Sequence, residues 1–184
     1  MYSRFFALGA AAALLALTGC TDGEVTAPAV PPMPLVVEPA ASAGGACILW
    51  DYGFIQEKIG VKFTIAAADQ FDDTSTCVVQ TENADWPDLA LSVVESTKAD
   101  GDLFLADLMP DRARKLKGLG KAAYRLVSKP SGKHGPVVEI GWLSEAAQLQ
   151  TLKFTFPAGA TTAEVTQMST RLAGLAKAMD TTDG

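Results

Sequence analysis

Five prolines between Thr21 and Ala46 (Pro28, Pro31, Pro32, Pro34 and Pro39), followed by Ala40-Ala-Ser-Ala-Gly-Gly-Ala46, confine a packed core to the residues that come after them. A stretch without sustained helical or strand periodicity buries too little apolar surface to offset the entropy of ordering it. The prolines favour extended polyproline backbone and Gly44-Gly45 adds a loose joint, so 20–46 reads as a tether. The 184-residue chain then holds one domain, 47–180, with a disordered tail at 181–184.

The residues ahead of the tether carry an address. Arg4 gives a positive start, Phe5 to Leu17 gives a mostly apolar run, and Leu17-Thr-Gly-Cys20 closes it, which is the order of a secretory signal at 1–19. The run is shorter than the roughly 20 apolar residues a spanning helix needs. The closing tetrapeptide resembles the lipobox of bacterial prolipoproteins: an aliphatic residue, a small residue, Gly or Ala, then Cys. That resemblance implies a diacylglyceryl group on the Cys20 sulfur and cleavage just before it, leaving Cys20 as the lipidated first residue. The expected place is the extracytoplasmic face of a bacterial membrane, and the lipid on Cys20 is the expected membrane partner. Two acyl chains make such an anchor stable.

Outside the cytoplasm the two remaining cysteines, Cys47 and Cys77, are expected to pair. Metal binding by two lone thiols finds no histidine nearby and no zinc-type spacing.

From Cys47 onward the punctuation is that of a folded domain. Asp51 caps a helix through Ile59, with Tyr52, Ile55 and Ile59 on one face and Gly60 as its left-handed stop. Strands are expected at Val61–Ala67, Cys77–Glu82 and Leu89–Ser96. Asp100 caps a second helix bearing Leu103, Phe104 and Leu108, ended by Pro110. Strands at Ala122–Ser128, Val137–Leu143 and Leu149–Phe156 follow, the first two joined by a Lys129–Gly135 hairpin turn. Thr161-Thr-Ala-Glu164 is a capping box for a last helix with Val165, Met168, Leu172, Leu175 and Met179 at helical spacing. The order αβββαβββα with short connections predicts an α+β fold, one twisted antiparallel sheet of about six strands with helices packed on it.

The lipobox, a Pro and Ala-rich tether, Cys47 opening the domain, a helix ending in Gly60-Val-Lys-Phe, Cys77 opening a strand, and Gly118-Leu-Gly-Lys-Ala-Ala-Tyr124 together resemble the small Cys-framed lipoproteins of actinobacteria. Those families have no known function. The resemblance implies an α+β domain similar to that of the photosystem subunit PsbP, and it implies no reaction and no catalytic residue. Ile48-Leu-Trp-Asp51 stands where members often carry Leu-Leu-Thr-Pro, and Val78-Val79 where many carry Trp.

Little in the chain is built for chemistry. His134 is the sole histidine and sits in a Gly-Lys-His-Gly turn. No G-x-S-x-G elbow or S-x-x-K pair occurs. Gly118-Leu-Gly-Lys121 and Ser131-Gly-Lys133 lack the full phosphate-loop pattern. Asp69, Asp72 and Asp73 miss the calcium-loop spacing and read as an exposed acidic loop. Trp50, Trp86 and Trp142 read as core. No catalytic residue, cofactor or metal is implied.

Charge is the less ordinary feature. Arg112, Arg114, Lys115, Lys117, Lys121, Arg125, Lys129 and Lys133 fall in one run with no Asp or Glu, while the rest of the processed chain holds 6 cations against 21 acids. Such a run can form a face for anionic lipid or cell-wall polymer, or it can interleave with acidic neighbours on a solvated hairpin. A processed net charge of −7 argues against nucleic acid as a partner. The expected function is a membrane-anchored, non-enzymatic binding or interaction module. Its alternatives are a cell-envelope hydrolase using carboxylates such as Asp85, Asp88 or Glu95, and a structural partner of a membrane protein.

Overall fold

A computed structural model of the chain describes residues 37–95, 98 and 100–180. The signal segment, Cys20, most of the tether and the tail at 181–184 lie outside the described residues. The fold opens before Cys47: two short 3-10 turns, Ala40–Ala43 and Gly45–Leu49, place Ala40 and Ala46 in the core. Small side chains suit that place, because a turn must press close to the sheet for Cys47 to reach it.

Helix α1 (Tyr52–Ile59) starts where the Asp51 carboxylate accepts from the Phe54 N–H at 2.8 Å. It stops at Gly60, whose φ of 79° is open to glycine without a Cβ clash. Arg171 donates to the freed Ile59 carbonyl at 3.0 Å, tying α1 to the last helix. After α1 the sheet begins with β1 (Ile65–Phe71), β2 (Thr74–Thr81) and β3 (Ala84–Val94). Then come helix α2 (Gly101–Leu103), capped by Asp100, and a π-helical turn, Phe104–Leu108. The chain continues through β4 (Arg114–Leu116), β5 (Ala122–Ser128), β6 (Val137–Leu143), β7 (Leu149–Thr155) and α3 (Thr162–Asp180). The capping box forms as the residues dictate. The Glu164 carboxylate accepts from the Thr161 N–H at 2.7 Å and from the Thr161 hydroxyl at 2.8 Å, which holds it below its usual range, and the Glu164 N–H donates back to that hydroxyl.

The strands form one open antiparallel sheet in the order β1-β2-β3-β7-β6-β5-β4. Two meanders, β1 to β3 and β4 to β7, are stitched by β3 pairing with β7. The expected α+β class and antiparallel sheet are present, with seven strands where about six were expected. The added strand, β4, has three residues and two cations, too few for any period to show. β1 starts later than the expected Val61 because Phe63 leaves the strand line to enter the core, where it is 1% exposed. β3 starts earlier than the expected Leu89. Pro87 has no N–H to donate to a ladder, and it is tolerated because the β2 register shifts between Gln80 and Thr81, leaving Pro87 without a register partner.

α1, α3 and the second 3-10 turn cover one face of the sheet. Ile55, Ile59, Leu172 and Leu175 pack there against Leu89, Leu91, Ile140, Trp142, Leu152 and Phe154, all nearly inaccessible. All five expected apolar positions of α3 are buried. Cys47 and Cys77 lie in the same core and form a disulfide across 30 residues of chain. Among the described residues the opposite face is covered at one end, where Phe104 and its π-helical turn pack on Ala122, Tyr124 and Leu143.

Candidate functional site

The register assigns each of the eight cations a place. β4 and β5 are the last two strands at one side of the sheet, and Arg114 stands directly opposite Arg125. Lys115 stands opposite Tyr124 and so points to the other face. Lys117 and Lys121 lie in the β4–β5 connection at one end, and Lys129 and Lys133 in the β5–β6 turn at the far end. Arg112 precedes β4 with a φ of 68°. The cations therefore follow one edge of the sheet from end to end instead of sharing one face. All are exposed except half-buried Arg125, and none makes an ion pair or side-chain hydrogen bond with another described residue. Like charges directly opposite repel, so Arg114 and Arg125 leave that edge electrostatically unsatisfied.

A second feature was hidden from the sequence. The 3-10 turn Gly45–Leu49 and the ends of β1, β2 and β3 enclose an open groove of about 500 Å³ with the β6–β7 turn. Ile48, Leu49 and Val93 give it an apolar wall, and Gln70, Gln148 and Glu95 its polar rim. Ile48 is 67% exposed. Gln148 is held from behind by the amide of buried Gln150, 3.0 Å away. No local pattern could have announced this site, because its walls come from five separate segments.

On the face away from α1 and α3, beneath Phe104, Tyr124 crosses β6 over Gly141, its partner in register. Its hydroxyl donates to the Glu139 carboxylate at 2.8 Å. Burial foremost, then the Glu139 charge, pushes the phenol far above its usual range, partly offset by a hydrogen bond from Thr151. Tyr124 is thus a fixed donor, suited to holding strands together and unsuited to proton transfer.

The carboxylates considered for hydrolysis do not converge. Asp85 is exposed, half-buried Asp88 lies three residues along β3, and Glu95 lies beyond the far end, roughly 23 Å from Asp88 at 3.3 Å per residue. Burial raises the Asp88 carboxyl above its ordinary value, opposed by a Thr155 hydrogen bond and by the charges of Lys153 and His134. Asp88 lines neither the groove nor the shallower depressions beside α3 at Thr162–Arg171 and beside the β5–β6 turn. His134 stands in the β5–β6 turn, its Nδ1 2.7 Å from the Gly135 carbonyl and its ring 5.9 Å from that of Trp86. Trp50 and Trp142 are buried in the core, while Trp86 is only partly covered. Asp69 ends up on β1, and Asp72 and Asp73 in the turn after it. Among the described residues no group of three or more His, Cys, Asp or Glu is placed to hold a metal ion, and no helix is long and apolar enough to cross a membrane.

No family model, no curated protein and no solved structure matches this chain.

Proposed function

We propose that this protein is a lipid-anchored, extracytoplasmic binding module, tethered through Cys20 and the proline-rich segment, that engages anionic material of the cell envelope along its β4–β5 edge. The observation that carries this reading is the row of cations on that edge without a carboxylate partner among the described residues, in a chain that is otherwise strongly acidic. The disulfide between Cys47 and Cys77 supports the compartment, since such bonds persist where the surroundings oxidise. The sequence resemblance to Cys-framed lipoproteins points to the same place.

Charge separation gives the binding a direction. The acidic remainder is repelled from an anionic surface while the edge is drawn to it, so the domain docks edge-on. Each cation near such a surface contributes about 1 kcal/mol, and only those on the facing edge count. The domain from Val37 onward is expected to float with vesicles containing anionic lipid, most strongly at low salt and less as salt rises to the physiological range, where the Debye length shrinks to about 8 Å. Arg114→Gln together with Arg125→Gln should weaken this by about 2 kcal/mol, roughly thirtyfold. Equal binding to neutral vesicles, or no binding to anionic ones at low salt, would rule the edge out.

A further inference from the structure

The two borders of the sheet are protected differently. β4 is three residues long and carries Arg114 and Lys115, the kind of edge that resists pairing with another chain. β1 is the reverse: Ile-Ala-Ala-Ala-Asp-Gln-Phe, seven residues with one charge, no Lys, Arg or Pro, and an unbroken register against β2. Among the described residues, none forms a backbone hydrogen bond with the outer side of Ile65–Phe71. The Cys47 sulfur lies 3.6 Å from the Ala67 carbonyl, but a disulfide sulfur has no proton to give. Two large apolar side chains stand out on this strand, Ile65 at 43% and Phe71 at 74% exposure.

We infer that β1 is a homodimer interface, with two copies of this chain pairing antiparallel through Ile65–Phe71 about a two-fold axis to make one continuous sheet. The residues themselves select the register. A two-fold axis through the sheet sets like faces side by side, so residues opposite each other must share parity. Full overlap of the seven residues then puts Ala68 opposite Ala68 of the second copy. In that register Ile65 meets Phe71 of the second copy at both ends, on the same exposed face, so each exposed apolar side chain acquires an apolar partner. Asp69 meets Ala67 and not its own counterpart. The three alanines let the backbones approach without obstruction.

A Phe side chain carries roughly 150–250 Å², so even with the main chain included this pairing falls at or below the ~1,200 Å² of standard interfaces. The dimer is accordingly weak and concentration-dependent.

The test uses the full chain in cells, with the photo-reactive analogue p-benzoylphenylalanine at position 71. Irradiation is expected to give a band of twice the monomer mass, whose joined peptides link position 71 to the segment containing Ile65. Ala67→Glu sets like charges opposite Asp69 twice and should cut the dimer band tenfold or more, whereas Ala67→Lys sets opposite charges there and should leave it at least as strong. Both variants should keep the Cys47–Cys77 bond, which reports an intact fold. A photoproduct with another protein, no dimeric product, or equal behaviour of the two variants would overturn the inference.

Discussion

Replacing Cys47 or Cys77 with serine is expected to lower the stability of the domain by about 3 to 4 kcal/mol. Both sulfurs are wholly buried in the main core, one on the turn Gly45–Leu49 and the other on β2. Cross-linking residues 30 apart removes chain entropy from the unfolded state worth roughly 3.6 kcal/mol. Against a total stability of about 5 to 15 kcal/mol this is a large share. The turn it secures also forms one wall of the groove, so Ile48 and Leu49 should lose their fixed position in the same variant. Denaturant titration reads the effect as a lower midpoint, and reductant should reproduce it in the parent while leaving the variant unchanged. A loss under about 1 kcal/mol would mean that the turn is held by packing alone.

Gly141→Ala is expected to cost about 2 to 5 kcal/mol, opposite in sign to what glycine replacement in a strand ordinarily gives. Alanine usually gains about 0.5–1 kcal/mol over glycine there. Here a Cβ at 141 runs into the Tyr124 ring, which is 6% exposed and stacked 5.8 Å from Phe104. The ring must move, overpacking by about 1–3 kcal/mol, and its hydrogen bond to the Glu139 carboxylate is lost with it, worth roughly 1.5–3 kcal/mol. Trimming the ring at the same time removes the collision, so Gly141→Ala with Tyr124→Ala should cost clearly less than the sum of the two single changes. Strict additivity, or a stabilising Gly141→Ala, would show that the ring does not need the glycine.

The parts of the fold legible in the sequence are those with local physical causes. Asp51, Gly60, Asp100 and the Thr161–Glu164 box marked helix ends because capping is decided within a few residues. β5 and β6 had their bounds set by a Lys129–Gly135 turn between two apolar runs, and both strands end where those runs end. What escaped was decided at a distance. β4 exists only because Arg114–Leu116 has β5 to pair with. Asp69 reads as part of an acidic loop with Asp72 and Asp73 but sits on an edge strand, where its polar side chain faces water. The inclusion of Ala40–Ala46 in the fold follows from the reach of Cys47 to Cys77, not from any periodicity of that stretch. The candidate site was half visible: the run of cations could be counted, but their course along one edge needed the register, and the groove had no local signature at all.

The compartment underlies the whole functional account, and one intact-mass measurement on protein recovered from the membrane fraction tests it. The expected product is a chain beginning at Cys20, heavier by a diacylglyceryl group and lighter by two hydrogens than its reduced form. A mature chain starting at any other residue, or one with two thiols free to alkylate, would contradict it.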